Sequence, residues 1–175
     1  MNLLLIRHTS VNLPKGICYG FSDVPLANGW EEEADDIAQR LVPFDVSMVY
    51  SSPLSRCRLL AEKISNQVML DDRLKELNFG TWELMPWNEI TGPQAEKWMN
   101  DFVNECCPEG ESYMDMSRRI GNFLDELKKK RRTNVVIVSH AGVIRTILAL
   151  IQKIPLQKSF EIEVSFGQIM SITLL

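Results

Sequence analysis

The chain has two histidines among 175 residues, His8 and His140. Each falls just past an apolar run of strand length, Asn2 to Ile6 and Val135 to Val138. In open α/β sheets, ligands bind at the carboxyl edge of the strands. A lone histidine is more often a structural residue than a catalyst. Two out of two on that edge shift the balance towards chemistry. Arg7 stands beside His8, where burial of a permanent cation demands a partner. That partner is either an acidic loop residue or a bound anion. Arg56 falls in the first turn of a helix expected to begin at Pro53, and side chains there lean back towards the helix N-terminus. His140 is followed by Ala141-Gly142 at another helix start, whose free backbone N–H groups suit an anion. Two arginines, two histidines and a helix N-terminus on one edge describe a phosphate pocket.

Other chemistries lack their residues. The chain holds no GxxxxGK[ST] loop, no GxGxxG fingerprint, no HExxH, and no Asp and His at metal-ligand spacing. The four cysteines (Cys18, Cys57, Cys106 and Cys107) form no CxxC pair. They read as reduced thiols of a cytoplasmic protein.

The elements that must position these residues follow from periodicity and punctuation. Asn2 to Ile6, Val46 to Tyr50, Val68 to Leu70 and Val135 to Val138 read as strands. Trp30 to Leu41, Pro53 to Ile64, Ser112 to Arg132 and Ala141 to Ile151 read as helices. Ser51-Ser52-Pro53 has the form of a serine cap with proline in the first turn. Leu13 to Asn28 is loop. Lys75 to Glu111, broken by prolines and glycines, is an excursion or lid over the sheet that carries Trp82, Trp87 and Trp98. Phe160 to Leu175 reads as one or two strands around Gly167, and offers an edge for pairing between subunits in a homodimer. Strands alternating with helices indicate an α/β three-layer sandwich with a mostly parallel central sheet. Residues 1–175 are expected to form a single domain.

Charge and hydropathy limit the partners. With 45% hydrophobic and 24% charged residues, the composition is that of an ordinary globule. A net charge of −4 speaks against nucleic acid or an anionic membrane as partner. The basic run Lys128 to Arg132 and the acidic run Glu31 to Asp36 sit where a helix dipole favours them. No apolar stretch approaches the roughly 18 residues of a membrane span, and no signal peptide is visible.

Five segments, in order, resemble the signatures of the histidine phosphatase family, which includes the cofactor-dependent phosphoglycerate mutases. They are Leu5-Ile6-Arg7-His8; Asp23-Val24-Pro25-Leu26 with Gly29; Ser51-Ser52-Pro53-Leu54-Ser55-Arg56; Leu74-Lys75-Glu76 with Phe79-Gly80-Thr81-Trp82-Glu83; and Val138-Ser139-His140-Ala141-Gly142. The resemblance spans residues 3 to 145. It implies that His8 attacks phosphorus and becomes phosphohistidine. It implies that Arg7, Arg56 and His140 hold the phosphoryl oxygens, with backbone N–H groups of Ala141 and Gly142. Glu76 would protonate the leaving alkoxide and then deprotonate water. Tyr19 and Gly20 align with a substrate-contacting loop. The implied mechanism needs no metal and no cofactor. Thr9 stands where the family usually has glycine, Ser10 where it has glutamate, and Ala141 where glycine is common. The Thr9 hydroxyl either reaches the substrate phosphate or crowds it.

The compact loop after His8, with Tyr19-Gly20 before Asp23, most resembles the α-ribazole phosphatase branch of the family. That resemblance implies a small-molecule phosphate monoester, α-ribazole 5′-phosphate, as substrate in cobalamin biosynthesis. The lid tryptophans could stack on its benzimidazole ring, with at least two of them expected to pack the lid's own core. A broad sugar phosphatase, a phosphoglycerate-type mutase and an idle phosphate-binding protein are the alternatives.

Overall fold

The computed structural model describes residues 1–130 and 132–175. Its strands are β1 (Asn2–Arg7), β2 (Val46–Ser51), β3 (Val68–Leu70), β4 (Asn134–Ser139) and β5 (Ile169–Thr173). They form one sheet in the order β3-β2-β4-β1-β5, in which β5 alone runs antiparallel. The helices are α1 (Trp30–Leu41), α2 (Ser55–Ile64), α3 (Pro93–Asn100), α4 (Tyr113–Lys128) and α5 (Ala141–Gln152).

The apolar runs of β1 and β4 have no polar alternation because both faces of the sheet are covered. Leu4, Ile6, Val136 and Val138 face α1 and α2, which contribute Ile37, Leu41 and Leu60. Leu3, Leu5, Val135 and Ile137 face the other way, into a larger core shared with α4, α5 and the lid. This is the expected three-layer α/β sandwich.

Three local expectations are corrected. Helix α2 begins at Ser55, not Pro53, because Leu54 is extended and the Ser52 hydroxyl turns to His140 instead of capping the helix. Asp23, from the loop before α1, caps it: Oδ1 accepts from the Ser55 N–H at 2.9 Å and from the Ser55 hydroxyl at 2.7 Å. The C-terminal segment supplies one strand, and Phe160 belongs to a 3-10 turn over Leu156–Glu161. The helix read as reaching Arg132 ends at Lys128, after a complete capping box at Ser112 and Asp115. Of the basic run that closes it, residue 131 lies outside the described residues. Lys130 is paired locally with Glu126 and the Tyr50 hydroxyl.

The excursion from residue 75 to 111 contains short 3-10 turns at Gly80–Trp82 and Trp87–Glu89, followed by α3. An aromatic cluster holds it down. Trp98 meets Trp82 edge-on at 5.6 Å and stacks on Trp87 at 5.8 Å. Among the described residues, no helix is long and apolar enough to cross a membrane.

Candidate active site

Strands β1 and β4 are parallel neighbours with Arg7 opposite Ser139, so His8 and His140 leave the sheet side by side. The His8 N–H donates to the Ser139 carbonyl at 3.0 Å, extending the ladder one step beyond the strands. The two imidazole centroids are 5.2 Å apart. Both side chains are buried.

Hydrogen bonds fix both rings. The Nδ1 of His8 lies 2.7 Å from the Thr9 carbonyl, which can only accept. The proton of the neutral ring is therefore on Nδ1, and Nε2 carries the lone pair. Arg56 Nε donates to His140 Nδ1 at 3.3 Å, so the neutral His140 ring donates from Nε2 to the Ser52 hydroxyl at 2.9 Å. Burial, then the charge of Arg56, hold both histidines well below the ordinary imidazole range.

Arg56 is fully buried, and among the described residues it has no carboxylate partner. Its terminal nitrogens donate to the Gly20 carbonyl at 2.6 Å and the Ser22 carbonyl at 2.8 Å. Arg7 likewise meets no carboxylate among the described residues. It donates to the Val164 carbonyl at 2.7 Å and stacks on Phe166 at 3.8 Å. Burial lowers its pKa, partly offset by Tyr19 and Glu76.

Glu76 sits across from these cations on the N-terminus of α5. Its carboxylate accepts from the Gly142 N–H and from its neighbour Leu77, each at 3.0 Å. Arg119 anchors the backbone behind it, donating to the carbonyls of Arg73, Lys75 and Glu76. A methyl group on Gly142 would collide with the Glu76 carboxylate.

These groups line a cavity of about 280 Å³. Its lining combines the polar side chains of Arg7, His8, Arg56, Glu76, His140 and Arg145 with the apolar and aromatic ones of Ile17, Phe79, Trp87, Met116 and Phe160. A nucleophilic imidazole, the guanidinium groups of Arg7, Arg56 and Arg145, and a carboxyl group around one space suit phosphoryl transfer.

The model of the histidine phosphatase superfamily (branch 1) matches residues 3–175 of this sequence. The chain belongs to the histidine phosphatase superfamily. It resembles the adenosylcobalamin/α-ribazole phosphatase of Escherichia coli strain K12, with 27% identity over 95% of this chain and 87% of that protein. It also resembles phosphoserine phosphatase 1 of Hydrogenobacter thermophilus, with 29% identity over 95% of this chain and 82% of that protein. Among solved structures, the α-ribazole phosphatase of Shigella flexneri superposes with a TM-score of 0.89 at 26% identity. That match covers 100% of this chain and 91% of the other. Family and relatives together make the chain a phosphatase.

In this histidine phosphatase the cavity brings together Arg7, His8, Tyr19, Arg56, Glu76, His140 and Gly142 of the residues singled out in the sequence. Thr9, Gly20 and Ala141 do not line it. Thr9, next to His8, is buried, and its hydroxyl has no hydrogen-bond partner among the described residues. Gly20 lies behind Arg56 and serves it through a carbonyl. Ala141 packs into the larger core. The Gly142 N–H, expected to meet phosphate, is taken by Glu76.

Sequence reasoning missed Arg145, Phe166 and the role of Ser52. Arg145 lines the cavity three residues after Gly142 on α5, a helical spacing that points at the same face. No sequence signal marks Phe166, which reaches Arg7 and His8 because β5 returns antiparallel beside β1.

Proposed function

We propose that the chain hydrolyses a phosphate monoester through a phosphohistidine at His8, and that its substrate is α-ribazole 5′-phosphate. The observation that carries this reading is the mixed lining of one cavity, in which cations and imidazoles occur together with Phe79 and Trp87. A phosphate joined to a flat, uncharged aromatic nucleoside calls for the same combination.

The chemistry follows from the geometry. His8 Nε2 attacks phosphorus, a P–N bond forms and the P–O bond to the alcohol breaks. Glu76 donates its proton to the departing oxygen. Arg7 and Arg56 balance the charge on the phosphoryl oxygens. His140, oriented by Arg56 and the Ser52 hydroxyl, lines the same space. Water then attacks phosphorus, gives its proton to Glu76 and releases inorganic phosphate, restoring neutral His8. Four free thiols, Cys18, Cys57 and Cys107 buried and Cys106 exposed, are in keeping with a reducing, cytoplasmic setting.

Arg145 favours a second reading. It donates from Nε to the Ile162 carbonyl at 2.9 Å, lies over Phe160, and has no carboxylate partner among the described residues. A second anionic group on the substrate, such as the carboxylate of phosphoserine, would suit it.

Phosphate release decides between the two. The panel is α-ribazole 5′-phosphate, phosphoserine, 3-phosphoglycerate and sugar phosphates, with chelator and with a His8→Ala control. Strong preference for α-ribazole 5′-phosphate, abolished in the control, is expected. Preference for phosphoserine moves the assignment to the second reading. Turnover that depends on a bisphosphate primer indicates a mutase, and activity surviving His8→Ala overturns the phosphohistidine mechanism.

A further inference from the structure

Glu83 touches neither histidine nor the cavity, yet it carries four backbone hydrogen bonds. Its carboxylate accepts from the N–H groups of Gly20 at 3.0 Å, Phe21 at 2.9 Å and Ser22 at 3.1 Å, and from that of Phe79 at 3.1 Å. Consecutive N–H groups converging on one anion form a nest. Burial raises the pKa of this carboxyl group, but the hydrogen bonds from residues 20 to 22 outweigh it and hold the group below the usual range.

The far side of the same loop holds Arg56, through the carbonyls of Gly20 and Ser22. The Gly20 carbonyl and the Phe21 N–H belong to one peptide unit. That unit donates to Glu83 with one end and accepts from Arg56 with the other. An ion pair thus runs through a single peptide group, which both charges polarise in the same sense. The loop can lie this close only because residue 20 has no side chain. A methyl group there would collide with the Leu77 carbonyl and with Phe79.

We infer that Glu83 is a positioning residue for phosphoryl transfer, setting Arg56 against the phosphate and His140 through the Gly20–Phe21 peptide. This rests on the reading of Arg56 as a group that holds the phosphoryl oxygens. Without the carboxylate, three loop N–H groups lose their acceptor, and the carbonyls that aim Arg56 are free to tilt. A glutamine cannot substitute, because its NH2 group would face N–H donors.

The experiment is a double-mutant cycle on an aryl phosphate, with Glu83→Gln and Glu83→Asp each made alone and with Arg56→Lys. Calorimetric binding of inorganic phosphate and a thermal melt by circular dichroism accompany each variant. Glu83→Gln is expected to lower kcat by roughly 10- to 100-fold in the presence of Arg56, as misaimed groups do, with a smaller change in KM. In the Arg56→Lys background the same change should cost about twofold or less. Glu83→Asp should fall between, because it keeps the charge. Where Glu83→Gln does not fold, the Glu83→Asp cycle decides. Where turnover is too slow to follow, phosphate affinity gives the same comparison. Equal losses in both backgrounds, or no loss with Arg56 present, overturn the inference while leaving the phosphate-holding role of Arg56 intact. An Arg56→Lys variant with unchanged kcat and phosphate affinity overturns both.

Discussion

The bond from His8 Nδ1 to the Thr9 carbonyl does two things at the residue level. It leaves Nε2 as the nucleophilic nitrogen, and it slightly opposes the burial that keeps the ring neutral. Burial and the nearby guanidinium groups win, so the folded pKa lies well below 6.5. The attacking form of His8 therefore persists at acidity that would protonate an exposed histidine. The pH profile of kcat/KM mixes groups of the free enzyme with the substrate phosphate, whose second proton titrates at about 6, so an NMR titration of the His8 ring is the direct check. Its midpoint is expected well below 6.5. A midpoint at 6.5 or above would overturn the buried, neutral ring. Arg7 and Glu76 were legible because sequence neighbours or motif positions marked them. Glu83 lay in a recognised motif too, but its partners are backbone atoms some sixty residues away, and backbone N–H groups leave no trace in a residue pattern.

At the level of elements, α2 shows how a correct helix can have a wrong beginning. Ser52-Pro53 has the composition of a cap, but the Ser52 hydroxyl serves His140, and the cap comes from Asp23. A cap supplied from another loop ties helix stability to the loop that holds Arg56. Asp23→Ala is expected to lower the free energy of unfolding by about 1 kcal/mol, the usual cost of losing an N-cap. It should also raise KM, since the 20–23 loop loses one of its three anchors, the others being Glu83 and Arg56. Urea unfolding and steady-state kinetics on the same variant check both. An unchanged unfolding midpoint would show that α2 needs no cap from the loop. The other elements were legible because their signals are local. Periodicity sets the limits of α1 as Trp30 and Leu41, and unbroken apolar runs mark β1 and β4. The lid was legible only as an irregular excursion. Its order comes from tryptophans and phenylalanines meeting across distant segments, not from any periodic pattern.

For the whole molecule, burying both histidines as neutral rings couples stability to pH. In the unfolded chain they bind protons near pH 6.5, whereas in the folded chain they do not until the pH is much lower. The unfolded state then binds more protons, so stability is lost as pH falls below 6.5, by up to about 1.4 kcal/mol per pH unit for each histidine. The depressed carboxyl groups of Asp71, Glu83 and Asp115 act in the same direction, but only in the lower window beneath their ordinary values of 3.8 to 4.5. Urea unfolding at pH 7.5 and pH 5.5 therefore isolates the histidines. The wild type should weaken across this window, and His8→Gln should weaken less; equal slopes would contradict the buried neutral ring. The sequence by itself determined the sheet, the edge at which the site lies and the groups that gather there. Hydrophobic runs, helix periods and motif order are properties of neighbouring residues. The tertiary structure alone decided which partner each polar group takes. Glu76 rather than phosphate meets the Gly142 N–H, Arg56 is held by a peptide that also faces Glu83, and Phe166 and Arg145 join the site from the C-terminal half. Such pairings are settled by competition among hydrogen-bond donors and acceptors brought within 3 Å of each other only when the chain closes, and a linear pattern does not encode that competition.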